Sequence, residues 1–321
     1  MDTASLNVRI ARKTMEALDI TSLELEPTDG SKLPGFSAGS HIDVEIRPGL
    51  VRQYSLCNDS SEDHRYVIGV LRDPASRGGS IAVHDELQEG QVLRISLPRN
   101  HFPLAHNAHK SLLLAGGIGV TPILCMAERL AKIDADFTMH YSSRSEERMA
   151  FVNRIRESAF ASRVHFHFDD GPAEQRLDLP AVLQAAGEDC HLYVCGPSGY
   201  IDFVTSTARA QGWPEERIHF EFFSAKPVDT SDDKTFEVQV ASSGQVYQVG
   251  EDESIVSVLA EAGVEIMTSC EQGICGACIT RVIEGTPDHR DQVLSDSERD
   301  DEGWFTPCCS RSVSKRLVLD L

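Results

Sequence analysis

The chain has no apolar run approaching the ~20 residues needed to cross a bilayer, which predicts no membrane span. It is also short of positive charge. A formal net charge of −20 over 321 residues argues against a nucleic-acid partner. Met1–Ser5 carries neither a basic start nor an apolar stretch, so no signal peptide is expected and a cytoplasmic location is. Repeats and low-complexity segments are missing too. What remains is an ordinary globular composition, 41% hydrophobic, long enough for two to three domains. Nine cysteines without a secretory signal point to metal or redox chemistry in a reducing compartment rather than to disulfides.

Four of those cysteines carry the strongest signal. Cys270, Cys275 and Cys278 are spaced C-x4-C-x2-C, and Cys308 follows far along the chain. This is the spacing of a plant-type 2Fe-2S cluster, three ligands in one loop and one returning later. Gly273, Gly276 and Ala277 lie between them, and small residues let a backbone wrap closely around sulfur. A structural zinc site would show two C-x2-C knuckles, and only one is present. A thioredoxin-like pair would have no need of Cys270 or Cys308. Cys309 adjoins Cys308 and is expected to pack as a small apolar residue.

Short alternating runs fill the first hundred residues: Asn7–Ala11, Ile20–Leu25, His41–Ile46, Gln53–Leu56, Tyr66–Leu71 and Val92–Ser96, with one helix near Ser80–Leu87. Evenly spaced short strands predict a small antiparallel barrel. The pattern changes at about residue 106. Leu112–Ala115 is continuously apolar, as in a strand buried on both faces. Helices at Pro122–Lys132, Arg148–Ser158, Leu179–Ala186 and Gly199–Ala210 then alternate with strands at Phe137–Tyr141, Val164–Phe168, His191–Cys195 and Arg217–Phe222, predicting a parallel α/β sheet. Ser224–Lys234 is polar and reads as an exposed linker. Strands at Phe236–Ala241 and Gln245–Val249, a helix at Ile255–Ala262 and a strand near Arg316–Asp320 frame the cysteine loop. The expected division is therefore 1–105, 106–225, a linker at 226–233, and 234–321. The last part holds 16 acidic and 7 basic residues. An acidic docking face for a basic partner and a generally acidic surface both remain open.

Arg52-Gln53-Tyr54-Ser55 lies on an expected strand, and Arg77-Gly78-Gly79-Ser80 opens the expected helix. Two glycines and a serine there offer N–H groups and a hydroxyl to a phosphate, with Arg52 as countercharge. Gly116-Gly117-Ile118-Gly119-Val120-Thr121-Pro122 follows the apolar strand, where glycines permit a sharp turn and close approach to a ligand. Thr121 is placed to cap the next helix and Pro122 suits its first turn. Cys195-Gly196-Pro197 ends a later strand of the same sheet, and ligands bind at such strand ends. Cys195 also reads as a buried strand-end thiol. Ser143 and Arg144 stand where an acidic residue would usually meet the ribose of NAD, so preference between NADH and NADPH stays open from the residues alone.

The paired R-x-Y-S and G-G-S segments resemble the ferredoxin reductase superfamily. With the glycine turn, the C-G-P segment and the cysteine loop in this order, the chain resembles the phthalate dioxygenase reductase family, which includes vanillate demethylase reductases. Arg99–Leu104, Gly285–Arg290, Cys308–Arg311 and Leu317–Leu321 support the likeness over nearly the whole length. The resemblance implies a multidomain fold: a flavin barrel, a nicotinamide α/β domain and a C-terminal β-grasp ferredoxin. It implies FMN, NADH and a 2Fe-2S cluster, with Tyr54 and Ser55 at the flavin and Cys195, Gly196 and Pro197 at the nicotinamide. An aromatic residue near the end of the α/β domain, Phe223 or Phe222, is implied at the flavin. Asp301-Glu302-Gly303-Trp304 resembles the plant ferredoxin segment in which the fourth ligand lies four residues after the tryptophan, which picks Cys308 over Cys309. Hydride would pass from NADH to FMN, and single electrons through the cluster to a Rieske-type oxygenase. A di-iron or haem monooxygenase as acceptor, or a non-catalytic electron carrier or redox sensor, are the alternatives. No acid–base dyad is required, so His101 and His106 are not read as catalytic.

Overall fold

Alternating side chains put one face of each early strand into a core. In the computed structural model, residues 1–4, 75–77, 107, 224–229, 269 and 302 and the side chain of residue 296 are outside the described part of the chain. The first strands are β1 (Ser5–Ala17), β2 (Ile20–Pro27), β3 (Ser40–Arg47), β4 (Leu50–Ser55) and β5 (Tyr66–Leu71). Helix α1 (Gly79–Asp85), β6 (Val92–Ser96) and the short β7 (Arg99–Asn100) follow. The sheet is antiparallel in the order β4-β3-β6-β1-β2-β5, with β7 beside β3. A bridge between Leu56 and Ile68 joins its two ends. Val8, Ile10, Leu23, Leu25, Ile42, Val44 and Ile68 are fully buried inside it. Strand β1 runs well past the expected Asn7–Ala11. Register shifts at Ile10/Arg12 and Met15/Ala17 bend it, so that it pairs with β6 at its start and β2 along its length.

The second sheet is parallel throughout, in the order β10-β9-β8-β11-β12: β8 (Lys110–Gly116), β9 (Asp136–Ser143), β10 (Val164–Phe168), β11 (Cys190–Cys195) and β12 (Ile218–Glu221). Its helices are α2 (Val120–Lys132), α3 (Val152–Glu157), α4 (Leu179–Ala186) and α5 (Ser198–Ala210). The run Leu112–Ala115 is buried on both faces, as its composition requires. Leu112 and Leu114 join Leu183 and Val204 from α4 and α5, while Leu113 and Ala115 join Ile123 and Ile155 from α2 and α3.

Three local expectations need correction. The helix expected over Arg148–Ser158 begins only at Val152, because Phe151 adopts φ +60°, a left-handed conformation that cannot continue a helix. Thr121 does not cap α2. It lies inside the helix, buried, and its hydroxyl donates back to Ile118 O at 3.1 Å. The polar segment before residue 234 is not exposed throughout: Asp233 has a side chain only 6% accessible. Residues 226–229 of that expected linker lie outside the described residues.

Both sheets belong to one compact unit, Met1–Phe223, and Ser224–Leu321 forms another. Within the first unit the expected boundary at residue 105 is crossed by a shared core. Ile20, Cys57, Val67 and Phe102 pack with Leu113, Val120 and Tyr193. Gly69 of β5 marks the contact, since a Cβ there would stand 2.8 Å from Thr121 and 3.1 Å from the Phe151 ring.

The second unit contains β13 (Phe236–Val240), β14 (Val246–Val249), α6 (Ile255–Glu261), β15 (Thr280–Glu284), β16 (Pro287–Asp288), α7 (Asp296–Asp300), β17 (Trp304–Phe305), β18 (Arg311–Ser312) and β19 (Arg316–Leu319). Its main sheet runs β14-β13-β19-β15-β17. Strand β19 lies between β13, to which it is parallel, and β15. Helix α7 was not foreseen. Ser295 and Glu298 close it with a capping box, the S-x-x-E pattern being readable in hindsight.

Candidate functional site

Two clusters of expected residues form in the first unit. The first gathers Arg52 of β4 and the start of α1. Gly78 has φ +83° and no Cβ to strain that turn. Gly79 is pressed by Arg52, whose Cγ and Nε lie 2.6 Å from where a Cβ would stand. The guanidinium donates to Val51 O at 2.7 Å. Ser80 Oγ accepts from Asp73 N at 3.1 Å, which leaves its own proton available as a donor. Arg77 lies outside the described residues. Tyr54 is half-buried beside this group, and burial pushes its phenol above the ordinary range.

The second cluster lies at the C-terminal edge of the parallel sheet. Gly119 meets the end of β11 so closely that a Cβ would fall 2.3 Å from Cys195 O and 2.5 Å from Gly196 N. Gly117 takes φ +53° in the turn before it. Pro197 and the ring of Tyr200 cover Gly116 and Gly196. The hydroxyl of Tyr200 is buried with no hydrogen-bond partner, as is that of Ser142, whose residue pairs with Gly116 across the strands. The two hydroxyls nonetheless face each other closely enough for Ser142 to oppose the rise that burial gives the Tyr200 phenol, at the edge where α/β sheets take ligands. Ser143 is buried and Arg144 exposed at the end of β9, and the chain beyond β10 continues the pairing through Asp169 N to Ser143 O and Asp170 N to Arg144 O.

One residue that sequence reasoning missed connects the two clusters. Glu221 ends β12 opposite Cys195 of β11, and its Oε2 accepts from Ser55 Oγ of β4 at 3.4 Å. Although part of the residue remains accessible, its surroundings desolvate the carboxyl and push its pKa up to about 8, with the Ser55 hydrogen bond opposing that rise. Cys195 is fully buried, and burial with Glu221 nearby raises its thiol well above the ordinary value. The readable signal was a charge inside the apolar strand Ile218-His219-Phe220-Glu221, at the ligand-binding end of the sheet. Phe223 follows, 36% exposed, whereas Phe222 packs against the core beneath α5.

In the second unit the four cysteines Cys270, Cys275, Cys278 and Cys308 are all buried. Their sulfurs lie in two pairs, and Cys309 also reaches Cys308. Cys270 is within hydrogen-bond reach of Cys275, and Cys278 of Cys308. Among the described residues no three His, Cys, Asp or Glu side chains gather as they would around a single ion. Two thiolates per iron is the ligation of a two-iron cluster, so this donor set fits 2Fe-2S better than one zinc. Backbone N–H groups of Gln272 and Ala277 point at Cys270 Sγ (3.3 Å) and Cys275 Sγ (3.4 Å), the donors that stabilise a charged cluster. Positive φ values at Glu271, Gly273 and Gly276 turn the loop around them. The hydrogen bond from Cys275 and the neighbouring N–H groups hold the Cys270 thiol below its ordinary range.

Cys309 does not pack as a small apolar residue. It is half-buried, against Gly273, with the Thr306 hydroxyl at 3.5 Å and that of Ser310 at 3.7 Å from its sulfur.

Residues 238–313 match the 2Fe-2S iron-sulfur cluster binding domain family. Over 97% of its length the chain is 55% identical to a vanillate O-demethylase oxidoreductase of Pseudomonas putida, 98% of which is covered. Its fold is similar to that of phthalate dioxygenase reductase, described as a modular structure for electron transfer from pyridine nucleotides to 2Fe-2S. The TM-score is 0.78 at 40% identity, over 99% of this chain and 98% of that one. An intact type IV self-sufficient cytochrome P450 monooxygenase is also similar, with TM-score 0.84 and 36% identity, 99% of this chain covering 41% of that one. Fold and cysteine cage together define an electron-transfer oxidoreductase with an iron–sulfur unit. The chain belongs to the oxygenase-reductase family that includes vanillate O-demethylase oxidoreductase and phthalate dioxygenase reductase.

Proposed function

We propose that the chain takes hydride from NADH at a bound FMN and delivers single electrons through its 2Fe-2S cluster to a Rieske-type aromatic O-demethylase or ring dioxygenase. The observation that carries this reading is the approach of Ser55 to Glu221 beside Cys195. It brings the strand expected at the flavin to the sheet edge expected at the nicotinamide. When bound, FMN accepts an electron pair as hydride and releases electrons singly, and the cluster accepts them one at a time.

The chain's own residues bind and orient. Arg52, the amides of Gly78 and Gly79 and the hydroxyl of Ser80 hold the FMN phosphate, with Arg77 as a further candidate. Tyr54 and Ser55 line the ring, and Phe223 covers it until the nicotinamide arrives. Gly117, Gly119, Thr121, Pro122, Gly196 and Pro197 shape the turn that receives the dinucleotide, with Ser143 and Arg144 toward its adenosine end. Cys195 closes the nicotinamide pocket. Glu221 holds a proton on its carboxyl at neutral pH and exchanges it through the Ser55 hydroxyl. In this reading the antiparallel sheet is a closed flavin barrel at 1–105, the parallel sheet a nicotinamide domain at 106–225, and 234–321 the ferredoxin domain. The protein works in the cytoplasm.

The deciding experiment is an anaerobic visible spectrum before and after one equivalent of NADH. Joint bleaching of flavin and iron–sulfur bands supports the reading, and flavin bleaching alone removes the internal transfer step. NADPH in place of NADH tests the nucleotide. The likeness to a self-sufficient P450 favours one second reading, a haem acceptor. Reduction of a purified P450 at a rate equal to that of a vanillate demethylase oxygenase would favour it.

A further inference from the structure

The segment Gly285–Arg290 and the polar stretch before residue 234 have no part in the scheme above. In the second unit they meet. Arg290 forks onto Asp233, Nη2 to Oδ1 at 2.5 Å and Nη1 to Oδ2 at 3.0 Å, and also holds Asp288. Arg311 Nε lies 3.3 Å from Asp233 Oδ2. The side chains of Asp233, Arg290 and Arg311 are only 6%, 13% and 9% exposed. This is a buried carboxylate between two buried guanidiniums; its removal would leave Arg290 only the more exposed Asp288 and would take the nearby carboxylate from Arg311.

Both arginines lead to the cysteine cage. The backbone N–H of Arg290 donates to Ser310 Oγ at 3.0 Å, two residues past Cys308, and Ser310 bonds Thr306 at 2.9 Å. Two residues after Arg290, Gln292 N donates to Gly273 O at 2.9 Å, inside the loop between Cys270 and Cys275. Gly273 fits there only without a Cβ, which would stand 2.8 Å from Asp291 Cα. Arg311 itself follows Cys308 by three residues and donates to the carbonyls of Lys234, Gly250 and Glu253. Asp233 lies ahead of residue 238, where the match to the cluster-binding family begins.

We propose that Asp233 is a positioning residue for the iron–sulfur cage. Through Arg290 and Arg311 it fixes both loops that carry the cysteines, although it stands upstream of the ferredoxin sequence pattern. The inference rests on the cage holding a cluster.

The test uses the full-length holoprotein. Asp233→Ala is expected to release iron to ferrozine about tenfold faster than wild type. Its midpoint potential is expected to rise, since the loss of one negative charge beside the cage favours the more negative reduced cluster, and the g-values of the reduced cluster should shift. Asp233→Glu, which keeps the charge, should restore most of the lifetime. Asp233→Asn gives the same readings should the alanine variant not fold. An unchanged potential and spectrum, with a cluster lifetime within about twofold of wild type, overturns the proposal. So does equal loss of stability in the chelator-stripped and loaded chains with no change in potential, which would make Asp233 merely structural. Wild-type protein without iron–sulfur absorbance would sink the cluster reading instead, a distinguishable result.

Discussion

In the Met1–Phe223 unit the groups proposed to meet cofactors stand on or beside regular strands and at a helix start, backed by apolar clusters of both sheets. In the Ser224–Leu321 unit the four cysteines stand in loops. Its core consists of residues such as Phe236, Val238, Leu259, Phe305 and Leu317, and none lies between Cys270 and Cys278. Strand register positions Cys195 against Glu221. Polar wedges position the cysteines instead: Asp291, with a fully buried side chain, sits against Gly273 and binds Arg299 at 3.2 Å. An edge site survives loss of its ligand because packing holds it. A loop cage depends on its charge network and on the cluster it encloses.

The sharpest way to break this contrast is at the fourth ligand. Cys308→Ser should remove the cluster and lower NADH-driven cytochrome c reduction by roughly a hundredfold or more, since one-electron delivery needs all four thiolates. Cys309→Ala should leave the cluster spectrum in place. Loss of the spectrum in the second variant and not the first would reverse the ligand assignment. In the first unit the largest effect falls on backbone packing. Gly119→Ala drives a methyl into Cys195 O, and strand ends do not yield as side chains do, so a loss of about 3 kcal/mol is expected in urea unfolding.

Glu221→Gln should slow flavin reduction by NADH roughly tenfold in stopped flow, as expected for a positioned proton holder. It should also flatten the pH dependence of stability. The folded carboxyl keeps its proton up to about 8, whereas the ordinary glutamate value is 4.5. Across that window the folded state binds more protons than the unfolded one, so wild-type stability falls as pH rises through it. Thermal scans of both proteins from pH 5 to pH 8 check the sign; parallel slopes would show that Glu221 does not carry the dependence. The smallest effect is Gly79→Ala. Only the Arg52 side chain has to move, so the fold should hold while FMN binds about fivefold more weakly by fluorescence titration.

What the sequence disclosed follows from the same contrast. Cysteine spacing and the glycine turns are local patterns, and the two sheets announce themselves by alternation and by the continuous Leu112–Ala115 run. Glu221 showed only as a charge in an apolar strand, and its role was hidden because it depends on Ser55, 166 residues earlier. Asp233 was invisible for the opposite reason. An aspartate among Ser231, Asp232 and Lys234 reads as solvated until Arg290 and Arg311 arrive from far downstream. Thr121 matched a capping residue by type, but the helix begins at Val120, two positions before the expected Pro122, and encloses it.

The place of β19 has a consequence for biosynthesis. A strand made after all four cysteines lies in the middle of its sheet, between β13 and β15. The sheet that supports the cage therefore cannot close until Leu319 has left the ribosome, and the thiols of Cys270, Cys275 and Cys278 wait unprotected through that interval. Strand order therefore leads us to expect iron–sulfur insertion only after β19 has been made. A ribosome that stalls just before Arg316 is expected to leave the Met1–Phe223 unit with both its sheets, followed by a cysteine-rich segment whose own sheet lacks its middle strand.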